Sequence, residues 1–257
     1  MTRFEDLDIE IQNKFTDNNI ITVSNNYFTP NLYKNLIVPN WNTIISTYIN
    51  NFTRGNILNN LHGKENYPNG DLQYKEGGAS YYFCKLLDNL SVLNKKVAII
   101  GSELPWLEAI VYNYGCKDIT TVEYNKPFIE HENFKVISYD EFKITDEKYD
   151  IIMSYSSIEH SGLGRYGDNI NPNEDINTIN VIHEHLTNEG RLCLGVPIGK
   201  DTLVWNANRI YGRHRLPKLL ANFKIIDWIG GDSSCLDIIP MYNRVFAYQP
   251  IIICSKL

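Results

Sequence analysis

The chain has 257 residues, of which 43% are hydrophobic and 12% aromatic, so it can build a buried core and is not wholly disordered. This length corresponds to one large domain, or to one domain with a modest extension. The formal net charge of −6 argues against a nucleic-acid partner, because such partners usually require a basic surface.

The cysteines and the N-terminal residues indicate in which cellular compartment the protein is expected. Five cysteines are scattered along the chain and form no C-x-x-C pair, so we expect free thiols in a reducing environment. Three of them, Cys116, Cys193 and Cys254, fall in or beside predicted strands and should be buried. The first residues, MTRFEDLDIEIQNKF, lack the apolar core of a signal peptide, and no apolar run is long enough to cross a bilayer. These features predict a cytoplasmic protein without a membrane span.

Residues 1–78 are predicted to be an N-terminal extension, or cap, packed on the core. Their pattern is weak apart from a short helix predicted over 41–49. Glycines and Pro68 predict a loop over 51–78, which is either a functional loop or a solvated connection. Polar groups in this loop are available to a polar substrate: Arg54, His62, Lys64, Glu65 and Asp71. The main domain, 79–257, then begins with a helix predicted over 79–93.

Residues 97–124 have the pattern of a βαβ unit. An apolar run over 97–100 stops at Gly101, and a helical pattern then continues to Gly115. A second run, of β-branched residues over 119–122, ends on Glu123. A carboxylate at the tip of this strand is suited to accept hydrogen bonds from both ribose hydroxyls of a nucleoside. The unit therefore predicts an adenosine cofactor, with S-adenosylmethionine as the leading candidate.

The remaining elements complete an α/β sheet. Strands are predicted over 135–138, 149–154, 191–196, 224–228 and 250–255, with helices over 176–186 and 215–223. Residues 198–215 are predicted to be a polar loop or a broken helix. The connection between the last two strands is too short for a crossover helix, so they should be antiparallel. This order predicts a three-layer, Rossmann-like class I methyltransferase fold: a mostly parallel seven-stranded sheet with an antiparallel last strand.

Several longer strings carry a family resemblance. GSELPWLEAIVYNYG, TTVEYN, SSIEHSGLGRYGD, LGVPIGKD and VWNANRIYGRHRLPKLLANF resemble the family catalogued as domain of unknown function 268, first described from Caenorhabditis. The resemblance extends from about Phe52 to the C-terminus. The family is similar to S-adenosylmethionine-dependent methyltransferases in its fold, and its bacterial relatives look like enzymes of surface-glycan clusters. The resemblance therefore implies methyl transfer to an activated or assembled sugar. One departure is the glycine-rich turn, where Gly101 alone remains of the usual G-x-G-x-G.

The predicted cofactor site combines the ends of four strands. Gly101 should let the backbone pass close to the methionine part of the cofactor, and the helix that starts near Pro105 should direct amide donors at its carboxylate. Asp140, with Glu141 as a competitor, is the candidate acceptor for the adenine amino group. The alternative for each residue is an ordinary turn or an exposed acid. The predicted cofactor residues are Gly101, Ser102, Glu103, Glu123, Tyr124, Asp140, Tyr155 and Ser156.

His160 is the predicted catalytic base, because it lies just past the fourth strand and imidazole has a pKa near 7. Glu159 or Asp168 would hold its tautomer, and the alternative is a structural histidine. Arginines suit bidentate phosphate contacts, so a second group is predicted to bind substrate hydroxyls or a diphosphate. The same residues are equally suited to a buried ion-pair network that stiffens two loops. The group comprises Arg165, Tyr166, Asn206, Arg209 and His214.

Metal binding is not predicted. His160, Asp168 and Asp201 are ligand types for a divalent ion, but no spacing in the chain is diagnostic of a metal site. His183 and His185 are two residues apart on a predicted helix and point away from each other.

The predicted function is S-adenosylmethionine-dependent O-methylation of a sugar, either nucleotide-linked or part of a surface glycan. The alternative is a catalytically inactive binding or scaffold module, which the missing glycines favour. A nicotinamide-dependent oxidoreductase shares the βαβ start, but the turn leaves little room for a pyrophosphate. A homo-oligomer is left open.

Overall fold

The computed structural model of the chain describes residues 2–24, 40–59, 78–239 and 248–257. Within these ranges the α-helices are α1 (Ile9–Thr16), α2 (Ile45–Asn51), α3 (Arg54–Leu58), α4 (Gly78–Leu87), α5 (Trp106–Asn113), α6 (Tyr139–Ile144), α7 (Glu174–His185) and α8 (Arg215–Leu219). The strands are β1 (Thr22–Ser24), β2 (Lys96–Ile100), β3 (Asp118–Val122), β4 (Phe134–Ile137), β5 (Tyr149–Tyr155), β6 (Leu186–Gly195), β7 (Thr202–Val204), β8 (Asn208–Ile210), β9 (Phe223–Ile229) and β10 (Ile251–Lys256).

Seven strands form the main sheet, in the order β4-β3-β2-β5-β6-β10-β9. The pairs from β4 to β6 are parallel, whereas β10 is antiparallel to both of its neighbours. This arrangement confirms the predicted mostly parallel sheet with an antiparallel last strand. The chain reverses its direction of winding between β2 and β5, and in open α/β sheets such a switch point opens a crevice at the carboxyl ends of the strands.

Two apolar cores cover the two faces of this sheet. Successive strand residues point to opposite faces, and β2 illustrates this alternation. Ala98 and Ile100 pack with α6, α7 and α8 in one core. Val97 and Ile99 pack with α2, α3, α4 and α5 in the other. A sheet covered by helices on both faces explains why the central strands are continuous apolar runs.

A second, three-stranded sheet has the order β1-β7-β8, with β1 parallel to β7. The prediction of a polar loop or broken helix over 198–215 is therefore wrong. The hairpin forms because Trp205, at its tip, is buried against the N-terminal segment: the rings of Phe4 and Phe15 lie 5.3 and 5.2 Å from it. These partners are about 200 and 190 residues away in the chain, so no local pattern indicated them.

The described part of the predicted extension packs on the main domain. A turn of 3-10 helix at Trp41–Thr43 and α2 replace the helix predicted over 41–49, and α2 lies against α5. α3 replaces the start of the predicted loop, and its Arg54 forms an ion pair with Asp88. The predictions for His62, Lys64, Glu65 and Asp71 lie outside the described residues, and the division at residue 78 stays a prediction.

The cysteines agree with the prediction, whereas two helices are shorter than predicted. All five cysteines are free and buried. The helices predicted over 79–93 and 215–223 end earlier, at Leu87 and Leu219. Within the described ranges, no helix is both long enough and apolar enough to cross a membrane.

A capping box fixes the first turn of α6. The hydroxyl of Ser138 accepts from the Glu141 amide at 3.1 Å, and the Glu141 carboxylate accepts from the Ser138 amide. We expect Ser138→Ala to lower the free energy of unfolding by about 1 kcal/mol, because the first turn of the helix loses its side-chain acceptor. Ser138→Asp retains an acceptor and should recover most of this loss in urea denaturation. Equal losses in the two variants would contradict the role of the cap.

Candidate active site

A cavity of about 410 Å³ opens at the carboxyl ends of β2, β3 and β5, within the size range of small-molecule sites. A small side cavity of about 30 Å³ adjoins it and extends to Tyr139 and Thr178. The described residues that line the main cavity are Gly101, Ser102, Glu103, Glu123, Tyr124, Asn125, Pro127, Ser156, Ser157, His160, Ser161, Tyr166, Gly167 and Asp168. The set includes six of the eight predicted cofactor residues.

The turn after β2 requires glycine for two reasons. Gly101 has a φ of +74°, and a Cβ at this position would lie 1.9 Å from the Oγ of Ser157. The glycine therefore lets the loop after β5 approach the turn after β2. The sequence predicted that a cofactor limits the space at Gly101, but in the structure Ser157 does so. Its amide donates to the Val122 carbonyl at 2.9 Å, so the turn is tied to the end of β3.

Glu123 lies where the sequence predicted the ribose acceptor, at the end of β3 and facing the cavity. One carboxylate oxygen accepts from the Ser102 amide and the other from the Tyr124 amide, each at 2.8 Å. Burial raises the pKa of Glu123, while these amide bonds favour its ionised form. Each oxygen has a further lone pair, so the carboxylate retains acceptor capacity for hydroxyl groups.

The structure does not bring Asp140 to either cavity. Its side chain is 88% exposed and forms an ion pair with Lys143 at 2.6 Å. Its competitor Glu141 caps α6 and pairs with Lys126 at 2.9 Å. The aromatic neighbour Tyr139 instead lines the side cavity, where its ring lies 5.3 Å from that of Tyr124. The sequence pattern located the end of β4 correctly but selected an exposed acid rather than the inward-facing tyrosine.

The next two predicted cofactor residues, Tyr155 and Ser156, point in different directions at the end of β5. Tyr155 points away from the cavity, because its ring packs on Phe83 and Trp106 at 5.9 and 6.0 Å. Ser156 lines the cavity with a left-handed φ of 54°, and its hydroxyl donates to Glu159 at 3.0 Å. Ser157, which was not predicted, lines the cavity beside it.

His160 lines the cavity, but its environment differs from the predicted one. Its Nδ1 donates to the carbonyl of Ala207, and burial together with the charge of Arg165 lowers its pKa to about 3. The expected base with a pKa near 7 is therefore corrected: the imidazole is neutral, with its proton on Nδ1 and its lone pair on Nε2. Asp168 does not hold the ring, because its carboxylate accepts from the amides of Gly164 and Tyr166 and so closes the loop.

Glu159 stands behind His160, fully buried, with Oε1 at 3.5 Å from the Nε2 of His160. The same oxygen accepts from Ser156 and from Gln249, and burial raises the pKa of the carboxyl to about 7. Oε2 has no hydrogen-bond partner in the described part of the chain. A buried carboxyl that titrates near neutrality, beside a ring on the cavity wall, is a common arrangement at functional sites.

The predicted substrate group mostly forms the alternative ion-pair network. Arg209 is buried, donates to the Ser161 carbonyl at 2.5 Å, and lies 3.5 Å from Asp175. His214 does not line the cavity, and its Nε2 lies 2.9 Å from the Asp17 carboxylate. Asn206 is buried in the hairpin turn with a φ of 51°. These three residues stiffen the loops rather than line the cavity.

Arg165 and Tyr166 lie closer to the cavity. The Nη1 of Arg165 donates to the Ala207 carbonyl at 3.0 Å, which is the same carbonyl that holds His160. Tyr166 lines the cavity and is 44% exposed, and its ring lies 5.8 Å from that of His160. Of the five predicted substrate residues, Tyr166 is therefore the one that a bound molecule would meet.

The candidate metal ligands were Asp168, Asp201 and His160. In residues 2–24, 40–59, 78–239 and 248–257 there is no group of three or more histidine, cysteine, aspartate or glutamate side chains that could hold a metal ion. Asp201, one of the candidate ligands, instead accepts from the amides of Gly212, His214 and Arg215 at the start of α8.

The pKa of His160 leads to a pH prediction. The unfolded chain binds a proton at this histidine below about pH 6.5, and the folded chain does not until about pH 3, so stability contributed by the neutral ring is lost as pH falls through this window. We expect the ring to remain neutral from pH 8 to pH 5 in NMR titration, with its signals assigned by their loss in His160→Gln. A midpoint between pH 6 and 7 would contradict the buried, Ala207-bound geometry.

Solved structures with the same architecture are class I S-adenosylmethionine-dependent methyltransferases. The Burkholderia thailandensis 1,6-didemethyltoxoflavin-N1-methyltransferase, solved with bound 1,6-didemethyltoxoflavin and S-adenosylhomocysteine, is 13% identical with a TM-score of 0.51, over 91% of this chain and 93% of that one. The mitomycin 7-O-methyltransferase MmcR is 10% identical, with a TM-score of 0.48 over 84% and 67% of the two chains. At 13% identity the likeness to the Burkholderia enzyme shows the fold alone.

Length and family complete the comparison. The chain spans about half of the pyocyanin biosynthetic protein PhzM, 53% of that chain and 67% of this one, at 8% identity and a TM-score of 0.46. The family model described as "Caenorhabditis protein of unknown function, DUF268" matches residues 94–240, which is more than half of the 257 residues. The chain belongs to this family. No curated protein matches it.

Proposed function

We propose that the chain is an S-adenosylmethionine-dependent O-methyltransferase that acts on a sugar hydroxyl. The observation that carries the proposal is the position of Glu123: a carboxylate at the tip of β3, in a cavity of about 410 Å³ at the switch point of a class I methyltransferase sheet. The likeness to the Burkholderia enzyme supports the fold on which this assignment depends.

The residues around the cavity fit the proposed cofactor, which supplies an activated methyl group on a sulfonium when it is bound. Glu123 would accept from the ribose hydroxyls. Tyr124 and Tyr139 flank the side cavity and would pack on the adenine. The turn at Ser102 and the loop at Ser156 would hold the methionine part.

His160 and Glu159 would manage the proton of the acceptor hydroxyl. The lone pair of His160 is on Nε2, because Nδ1 donates a hydrogen bond to the Ala207 carbonyl. The O–H bond of the acceptor would break as Nε2 takes its proton, and the ionised Glu159 carboxylate, 3.5 Å away, would stabilise the imidazolium. A base with a low pKa needs this second group, since it holds a proton poorly alone. Cofactor alignment supplies the remaining rate enhancement.

A sugar suits the remaining wall of the cavity. Serine hydroxyls, the Asn125 amide and the Asp168 carboxylate supply several donors and acceptors for hydroxyl groups. The exposed ring of Tyr166 offers an apolar surface beside them. The resemblance to glycan-cluster enzymes points to a nucleotide-linked sugar or a surface glycan as the acceptor.

The second candidate is a binding module that retains the fold without turnover. The low pKa of His160 favours it, since a ring that resists protonation is a poor base by itself.

Turnover separates the two candidates. The folded protein is incubated with S-adenosylmethionine that carries a radiolabelled methyl group and with a panel of free and nucleotide-linked sugars. Label in a sugar, and its loss in His160→Gln with cofactor binding retained, is the expected result. Cofactor binding without transfer to any sugar would support the module.

A further inference from the structure

Glu108, in the first turn of α5, has no role in the proposed reaction and is fully buried behind the turn after β2. Its Oε1 accepts from the hydroxyl of Thr121 at 2.8 Å. Its Oε2 lies 3.0 Å from the Oγ of Ser102. The amide of the same Ser102 donates to Glu123 at 2.8 Å. Ser102 thus links Glu108 to Glu123, the proposed ribose acceptor.

The hydrogen count around Ser102 indicates which form of Glu108 fits. The Ser102 Oγ lies 3.0 Å from Oε2 of Glu108 and 3.0 Å from the Leu104 carbonyl, and a hydroxyl has one hydrogen to donate. If Oε2 of Glu108 carries a proton, it donates to Ser102, and Ser102 donates to Leu104. Both contacts are then hydrogen bonds. If Glu108 is ionised, the Ser102 hydroxyl can donate to Oε2 of Glu108 or to the Leu104 carbonyl, and the other oxygen receives no hydrogen bond from it.

The charges around Glu108 favour the same form. The titratable group that acts on it is Glu123, just after β3, which carries the same sign of charge, while Ser102 of the turn and Thr121 of β3 are neutral. No salt bridge to Glu108 occurs in the described part of the chain, so an ionised carboxylate in this place would be buried without a paired cation there, which is costly. Burial raises the pKa of Glu108 to about 7 and outweighs the hydrogen bonds that favour its ionised form, the largest of which comes from its own backbone amide.

We propose that protonated Glu108 is a positioning residue for the cofactor site: it fixes the Ser102 hydroxyl, so that the Ser102 amide holds Glu123 toward the ribose. This inference rests on the proposed function. Ionisation removes the hydrogen that Glu108 donates and places a second negative charge beside Glu123. Affinity for an adenosyl ligand should therefore fall at alkaline pH.

Calorimetric titration with S-adenosylhomocysteine between pH 6 and pH 9 tests the proposal. A single proton linked to binding changes the affinity of wild type by at most about tenfold per pH unit above pH 7. Glu108→Gln donates to Ser102 and accepts from Thr121 as the neutral acid does, so it should match wild type at pH 6 and lose the alkaline decline. Glu108→Ala should bind weakly at every pH. The exposed Glu189→Gln is the matched control and should follow wild type.

Two results would overturn the role of Glu108: an alkaline decline in Glu108→Gln as steep as in wild type, or wild-type affinity in Glu108→Ala. If neither wild type nor any variant binds the ligand at any pH, the proposed function fails. Unfolding measured without ligand then shows whether Glu108 is protonated in the folded chain. The folded chain keeps this proton to about pH 7 and the unfolded chain to about pH 4.5, so wild type should lose stability relative to Glu108→Gln as pH rises between these values. Parallel curves would show that Glu108 is not neutral.

Discussion

Replacing Asp175 by asparagine is expected to lower the free energy of unfolding by about 3–5 kcal/mol, the largest loss of stability for a single polar residue here. Asp175 is fully buried and accepts from Tyr211 at 3.0 Å and from Arg215 at 2.6 Å. Arg209 lies 3.5 Å away. Although burial opposes ionisation, the two guanidinium groups hold the pKa of Asp175 below its usual value. Asparagine would leave two buried positive charges uncompensated.

The matched control is Asp237→Asn, because Asp237 forms an ion pair with Arg213 at 2.6 Å in which both side chains are 62% exposed. Exposed pairs contribute about 1 kcal/mol or less. Urea denaturation of both variants measures the difference. Since Arg209 also holds the Ser161 carbonyl of the cavity wall, Asp175→Asn should weaken cofactor binding as well. Equal, small losses in the two variants would show that the buried network does not stabilise the fold.

Replacing Glu123 by alanine is expected to weaken S-adenosylhomocysteine binding by about 100-fold, equivalent to about 2.7 kcal/mol. The variant loses the charged acceptor for the ribose hydroxyls. It also frees the amides of Ser102 and Tyr124, which Glu123 holds at 2.8 Å, so the walls of the cavity lose their alignment. Calorimetry measures the affinity directly.

Two further variants make this result specific. Glu123→Gln keeps an acceptor without the charge and should fall between wild type and Glu123→Ala. Glu132→Ala removes an exposed glutamate that is outside the cavity and should bind as wild type does. Unchanged affinity in a folded Glu123→Ala protein would mean that the ribose does not bind at the end of β3.

The βαβ unit was predictable because its signals are local. Each signal involves only a few neighbouring residues: the apolar run of β2, the β-branched run of β3, the helical spacing of α5, and the glycines Gly101 and Gly115. The acid at the tip of β3 follows from strand length alone. The hairpin of β7 and β8 was not predictable in this way, since its Trp205 is buried by Phe4 and Phe15 from the other end of the chain.

The roles of the polar residues depended on partners that the sequence does not reveal. An arginine at position 209 suits a phosphate or a buried carboxylate, and the location of Asp175 decides between them. The pKa of His160 follows from burial and from the Ala207 carbonyl, 47 residues farther along the chain. Glu108 resembles any acid in the first turn of a helix, and its role becomes visible from its contact with Ser102.

The central claim is that the cavity at the ends of β2, β3 and β5 binds an adenosyl cofactor. Its most direct test is calorimetric titration of the folded wild-type chain with S-adenosylhomocysteine, with NAD as the control. We predict saturable binding of one S-adenosylhomocysteine per chain, competition by S-adenosylmethionine, and no binding of NAD. Absence of binding by both adenosyl ligands, with the protein shown to be folded, would contradict the account.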